Sequence, residues 1–404
     1  MSTIQPATRS RDIHYAVRDV LLVADEVKAR GGKLYALNIG DPNQYDFDTP
    51  QHLKDAVAKG MSIGSHNGYS PSSGIEPARE AIRREAARKG IKPVRDVFIT
   101  TGASEAIDLA LTSLCDPGDN VLCPTPGYPL YSAILSKLNV EYRAYYLNEE
   151  EGWSPSADEI SKLIDKHTRA IVLINPNNPT GSLYSRKTLE RIVEMALVHN
   201  IVVFADEIYD KLLLDGLTHT SIASLSEDLP CITFNGLSKG YLSPGWRIGW
   251  GIVSGPEAKL KDYVTAINKF LRARLCASHP MQFAIPVALD GDQSFLNGVK
   301  EKLQRRRDIS VKKLSDIPGI SVVKPTGAFY SFPKLDIEGE DEDWVKGLIR
   351  STGVVVVHGS GFGQKPGTKH FRFVFLPTED VLEQAFTLIG QYQALWQSGK
   401  RDFK

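Results

Sequence analysis

Cysteine is scarce in this 404-residue chain: there are four, Cys115, Cys123, Cys231 and Cys276, and no two form a Cys-x-x-Cys pair. A dense disulfide framework is therefore excluded, and the apolar, strand-like runs around Cys123 and Cys231 point to buried thiols. A Cys115–Cys123 bridge would need an oxidising compartment, yet the opening MSTIQPATRSRDIHYAVRDV lacks the apolar core of an export signal. Net charge is absent as well, because 48 Lys plus Arg balance 48 Asp plus Glu. No global field draws the chain to nucleic acid or anionic lipid, so any anion site has to be local. No apolar run is long enough to cross a bilayer. These absences predict a cytoplasmic protein with no nucleic-acid partner, no membrane partner and no metal site.

What is present is an ordinary globular balance, 42% hydrophobic and 24% charged residues, over a length that suits a large domain plus a smaller one. From Asp96 to Gly251 short apolar runs (VFIT, NVLCP, EYRAYYL, AIVLIN, IVVFADE, CITFNG, RIGWGIV) alternate with amphipathic stretches such as ASEAIDLALTSLC and RKTLERIVEMALVHN. That rhythm predicts β-α-β units. Runs of Val and Ile without a polar face suit strands covered by helices on both sides, so the expected class is α/β with ligand sites beyond the strands' carboxyl ends. A long helical pattern follows Gly255, and from about residue 300 the texture changes to α+β, closing with a helix from about Glu379. The expected division is a large domain over 48–299 and a small domain made of 1–47 together with 300–404.

Four strand ends carry chemistry. In NGLSKGYLSPGWRIGW, Lys239 follows a strand and Ser238, and Arg247 comes eight residues later. An amine there can condense with an aldehyde, and a guanidinium can clamp a phosphate through two parallel hydrogen bonds. A lone Ser-Lys pair is ordinarily a solvated surface lysine; the other segments tip the balance. IVVFADEIYDKL ends a buried strand on Asp206, with Tyr209 one turn on. Such a carboxylate needs a partner, and a protonated pyridine nitrogen would serve, though Asp206 could also cap a following helix. INPNNPTG is a stiff loop that fixes Asn178 as a hydrogen-bond donor to a phenolic oxygen, or is a plain turn. TTGASEAIDLAL opens a helix after a strand, which makes an anion site of Gly102, Ala103 and Ser104, or leaves Ser104 a plain N-cap. In PTPGYPLY, Tyr128 can stack on a flat heterocycle. GSGFGQ, residues 359–364, resembles a dinucleotide fingerprint, but Lys365-Pro366-Gly367 interrupts the helix it needs; a tight loop near the site is expected instead.

Taken in order, NIGDP, the Tyr of NGYSPSSG, the strand-end GAS, PGYP, NPNNPTG, DEIY, SK with GWRIGW, and the Arg of HFRFVFLP resemble the class I (fold type I) pyridoxal-phosphate aminotransferases along almost the whole chain. The resemblance implies a mostly parallel seven-stranded sheet covered by helices, a small α+β domain, and pyridoxal 5′-phosphate as cofactor. It implies that Lys239 anchors the cofactor and later moves a proton, that Asp206 pairs with its ring nitrogen, and that Tyr209 and Asn178 hold its phenolic oxygen. Tyr128 would stack on the ring, while Ser104, Ser238 and Arg247 would hold the phosphate with Tyr69 of a neighbouring subunit. Arg372 would clamp the substrate α-carboxylate, with Gly40 and the Asn178 amide nearby. A homodimer with shared active sites follows. One departure is Ala103-Ser104, where some relatives carry Gly-Thr.

HYAVRDVLL, LRARLCASHPMQ and KPTGAFYSFPK look most like the alanine (glutamate-pyruvate) aminotransferases, which implies ping-pong exchange between L-alanine and 2-oxoglutarate. A site accepting both a methyl group and a distal carboxylate needs a second cation. Arg18, beside Tyr15, is the first candidate, and Arg274, reaching across from the other subunit, is the second; a surface or interface salt bridge is the plain alternative for each. Aspartate, aromatic and kynurenine transamination stay open, as does a carbon-sulfur lyase on the same fold. A regulator's sensor domain finds no room for a DNA-reading module.

Overall fold

The computed structural model describes residues 4–12 and 16–399, with the side chains of residues 11, 12, 17 and 18 outside the description. After the two-residue β1, Tyr35–Ala36, seven strands build the central sheet: β2 Val94–Thr101, β3 Asn120–Thr125, β4 Glu141–Tyr146, β5 Thr168–Ile174, β6 Val202–Asp206, β7 Cys231–Gly236 and β8 Ile248–Ser254. Their order is β2-β8-β7-β6-β5-β3-β4. All neighbours run parallel except β8, which is antiparallel to both β2 and β7. Because β8 is reversed, its entry lies at the edge where the other strands end, and residues flanking six strands meet there.

The central strands are buried on both faces, as in Ile171, Val172 and Leu173 of β5, which is why these runs show no alternation. Helices cover them by a 3.6-residue stripe. In Arg186–His199 the stripe is Leu189, Ile192, Val193 and Ala196; the Ser185 hydroxyl accepts the Thr188 N–H at 3.0 Å at one end, and Asn200 turns left-handed at the other. Each such Leu or Ile contributes about 1.5–3 kcal/mol by leaving water.

The C-terminal region holds β9 Ile320–Ser321, β10 Tyr330–Ser331, β11 Lys334–Leu335, β12 Val354–Val355, β13 Val357–His358 and β14 Phe371–Val374. β14 lies between β10 and β13, antiparallel to both, and β12 pairs in parallel with β1. Gly353 makes that junction: its φ is +75°, and a Cβ there would lie 1.9 Å from the Lys33 carbonyl oxygen. The N-terminal segment is tied down again at Asp46, whose carboxylate accepts from Arg306 at 2.7 and 2.8 Å and from Lys302 at 3.0 Å. Those bases sit on the 21-residue helix Phe295–Ser315, so the expected division after residue 299 falls inside a continuous helix rather than in a loop.

Other details differ from expectation. No helix follows Asp206; residues 207–211 form turns, and the Ile208 N–H bonds the Asp206 Oδ1 instead. Ser104 is not an N-cap, since the helix Ala103–Leu114 is capped by Gly102, whose positive φ a side chain would resist. The cysteines are unpaired, but only Cys115, Cys123 and Cys231 are buried, Cys276 being half-exposed. No helix among the described residues is long and apolar enough to cross a membrane.

Candidate active site

One cavity of about 230 Å³ opens at the strand-end edge. Chain direction dictates what lines it. The turn after β2 supplies Ala103 and Ser104, the loop after β3 Tyr128, the loop after β5 Asn178, β6 and its turn Asp206 and Tyr209. The loop after β7 brings Ser238 and Lys239, the entry to β8 brings Arg247, and β14 brings Arg372 beside Gly40 from the N-terminal segment.

The charges are segregated. At one end Arg247 lies beside the N-terminus of Ala103–Leu114, and Ser104 and Ser238 line the same cavity. Gly102 makes room for it, because a Cβ there would stand 2.3 Å from the Arg247 Nη2. Arg247 itself has a positive φ of 53°, and its Nη1 donates to the Pro244 carbonyl at 3.0 Å. At the other end Asp206 is buried, and its carboxylate bonds come from neutral donors, the Tyr131 hydroxyl to Oδ2 at 3.2 Å and the Ile208 N–H to Oδ1 at 3.3 Å. Burial pushes its pKa up to about 6, against the opposing pull of those two bonds.

Between the two ends the Lys239 Nζ donates to the Gly40 carbonyl at 2.7 Å. Burial lowers its pKa to about 8; Asp41 and Asp206 oppose that shift and the positive Arg372 and Arg247 add to it. An amine so placed is available as a nucleophile near neutral pH. Arg372 is buried and sandwiched by aromatic faces, 4.7 Å from the Tyr330 ring centre and 4.6 Å from that of Phe362. Its guanidinium donates to the Asn38 carbonyl and, at 3.4 Å, to the Asn178 Oδ1. Phe362 belongs to the Gly359–Phe362 turn, which places the GSGFGQ loop against the arginine.

Pyridoxal phosphate matches this donor set in each part. The corner of helix N–H groups, two serines and Arg247 suits a phosphate, the buried Asp206 has no ion-pair partner in contact among the described residues and feels only the more distant Lys239 amine, and Tyr209 with Asn178 offers donors between them. Tyr209 also donates its hydroxyl to that of Tyr330 at 3.0 Å.

Two residues expected to act from a neighbouring subunit do not line the cavity of their own chain. Tyr69 is 83% exposed and does not line the cavity. Arg274 donates its Nη2 to the Ile99 carbonyl at 2.6 Å, with Glu105 3.6 Å from its Nε, while Nε and Nη1 make no hydrogen bond among the described residues; it does not line the cavity of its own chain. Tyr15 lies outside the described residues, and so does the side chain of Arg18. Sequence reasoning missed Tyr330 and Tyr131. Tyr330 follows a Gly-Ala-Phe turn in a strand too short to show alternation, whereas Tyr131 could have been found as the polar tip on the buried face of a helix beginning beside Tyr128.

The chain matches the family described as "Aminotransferase class I and II" over residues 38–389. It is 41% identical to a glutamate-pyruvate aminotransferase of Haemophilus influenzae over 91% of this chain and 92% of that protein. Identity to the glutamate-pyruvate aminotransferase of Escherichia coli is 38% over 97% and 98% respectively. Among solved structures, an alanine aminotransferase from Pyrococcus furiosus superposes with a TM-score of 0.93 at 42% identity, covering 96% of this chain and all of the other.

Proposed function

We propose, from the premise that this chain belongs to the class I and II aminotransferases, a pyridoxal-phosphate-dependent family, that it exchanges the amino group of L-alanine with 2-oxoglutarate, giving pyruvate and L-glutamate. The observation that carries the reading is one cavity lined by a lysine amine of lowered pKa, a cationic corner, a buried carboxylate without an ion-pair partner in contact among the described residues, and Arg372. The names of the relatives supply the substrate pair.

Ser104, Ser238, Arg247 and the N–H groups at Ala103 would hold the cofactor's phosphate, Asp206 its ring nitrogen, Asn178 and Tyr209 its phenolic oxygen, and Tyr128 its face. When bound, the cofactor supplies an electrophilic carbon and a positively charged ring able to accept the electron pair released at a substrate Cα. Lys239 Nζ is the nucleophile and then the group that takes a proton from Cα and returns one. Burial of Asp206 would keep water away from its pairing with the cofactor's ring nitrogen and so hold that nitrogen charged. Arg372 presents a planar fork to the α-carboxylate, and the rings of Tyr330 and Phe362 fix the orientation of that fork.

Arg18 is the proposed partner of glutamate's distal carboxylate, with Arg274, which does not line the cavity of its own chain, as the alternative from the other subunit. A homodimer with Tyr69 completing the partner's phosphate corner is proposed on the exposed Met61, Ile63 and Tyr69 and the exposed Phe270 and Leu275, carried by two segments that bond to each other through His279 and Gln282. The cytoplasm, where thiols stay reduced, suits four unpaired cysteines.

The test is a half-reaction screen. Cofactor-loaded protein is mixed with single amino acids, and visible absorbance and products are followed. L-alanine and L-glutamate are expected to convert the spectrum and yield pyruvate and 2-oxoglutarate; release of ammonia or a thiol instead would make the chain a lyase. Lys239→Ala is expected to abolish the visible band and turnover, and Arg18→Ala to lose glutamate turnover more than alanine turnover.

A further inference from the structure

The turn that follows β6 shows two faces. Asp206, Ile208 and Tyr209 line the cavity, whereas Glu207, Asp210 and Lys211 point the other way, into a buried cluster of ions that the chemistry does not use. At its centre is Lys89, the residue that closes the helix Glu76–Arg88. Its Nζ lies 2.5 Å from the Asp210 Oδ2 and 3.4 Å from the Glu207 Oε2, and the two acidic side chains are only 5% and 2% exposed. Neither carboxylate has another Lys or Arg within ion-pair distance among the described residues. Lys211 pairs with Glu85 at 2.8 Å, and Glu85 also with Arg88 at 2.9 Å.

Glu207 is further held by the Ser221 hydroxyl at 2.6 Å, with the His219 Nδ1 3.9 Å away, and its backbone is bonded on both sides to β7 through Phe234 and Asn235. Asp206, Tyr241 and Cys231 also feel the charge of these acids among the described residues. Beside Lys89, between Glu85, Lys211, Asn235 and Tyr241, only about 10 Å³ is open, hardly the space of one water. Lys89 keeps 18% of its side-chain surface, but the two carboxylates beneath it, at 2% and 5%, are nearly closed to the solvent that would replace its screening.

We propose that Lys89 is a positioning residue of the active site: by neutralising Glu207 and Asp210 from beneath, it holds the turn that presents Asp206 and Tyr209 to the cofactor. The inference rests on the cofactor reading above. Burial alone would lower the pKa of Lys89, but Asp210 and Glu207 overcome it and hold the amine charged; Asp210, whose burial alone would raise its pKa, is in turn held well below the usual carboxylate range by Lys89. Without the ammonium, two buried carboxylates three residues apart repel each other, and the turn relieves the strain by moving or by taking up protons. Acid should therefore cure the defect. A residue that only stabilised the fold would lower the melting temperature and leave the folded protein's affinity for the cofactor unchanged.

The experiment titrates cofactor-free parent, Lys89→Met and the double variant Lys89→Met/Asp210→Asn with pyridoxal 5′-phosphate between pH 6 and 8.5, following absorbance and tryptophan fluorescence. The double variant has the parent's net charge over positions 89, 207 and 210. Lys89→Met is expected to bind at least tenfold more weakly than the parent at pH 8, with the ratio shrinking toward pH 6, and the double variant to return within about threefold. A parent that binds no cofactor would fail the functional reading itself. With a binding parent, a ratio near one at every pH, or a loss that neither acid nor the second substitution reduces, overturns the positioning role. Should Lys89→Met not fold, the double variant decides alone: recovered binding supports the role, and absent binding overturns it.

Discussion

Asp206 illustrates how one side chain can be unfavourable to the empty protein and useful to the loaded one. Its carboxyl has a pKa of about 6 in the folded chain against 3.8 for the free group, burial being the cause. Between about pH 4 and 6 the folded chain therefore holds a proton that the unfolded chain has released, and stability falls as pH rises through that window. By pH 8 the accumulated penalty is roughly 3 kcal/mol in the ligand-free protein. A bound pyridinium would remove it, so the proposed cofactor would be held by the same energy that the empty site lacks. Asp206→Asn is expected to melt higher than the parent at pH 8 without cofactor, with the gap closing toward pH 4. With cofactor it should lose on the order of 10³-fold in rate. Calorimetry of the ligand-free pair checks the first part, and a variant melting no higher at pH 8 would remove the electrostatic argument.

At the level of elements, the phosphate corner depends on a strand, one glycine and a helix start meeting at the correct angle. Gly102→Ala would force a Cβ against the Arg247 guanidinium and strain a φ of +77°. Affinity for pyridoxal 5′-phosphate should drop roughly tenfold, about 1.4 kcal/mol, while affinity for pyridoxal, which has no phosphate, should change far less. Equal losses for both would show that the defect is not at this corner. The turn also shows where sequence reasoning succeeds. Lys239, Asp206, Asn178 and Ser104 each stand directly after a buried apolar run, so periodicity points at them, and the seven runs emerge as the seven strands of the sheet. Tyr330 lies in a two-residue strand, too short to carry a period. Tyr131 and Lys89 act on the site only through contacts 75 and 118 residues away in sequence, and nothing local announces such partners.

For the whole molecule, the chain ends are joined to each other and to the long helix. Arg306 is only 1% exposed, and Asp46 answers it across 260 residues. The Arg306 bond, more than burial, holds the Asp46 carboxyl at about 2. Its stabilising effect is therefore complete above pH 3.8 and disappears as pH falls through 2. Asp46→Ala is expected to cost about 1–2 kcal/mol at pH 7, less than a fully enclosed pair because Asp46 is 43% exposed. Urea unfolding at pH 7 and pH 3 measures it; a difference that does not shrink in acid would assign the loss to packing instead of charge.

The same long-range closure separates two tasks along the polypeptide. Every residue proposed to grip the cofactor within this chain lies between positions 102 and 247, while Gly40, Tyr330 and Arg372 come from the outer stretches that wrap back onto it. An ancestral chemistry could thus be kept intact in the middle of a gene while its termini drifted toward new acids. An engineer seeking a different amino donor should mutate the ends and leave the centre alone.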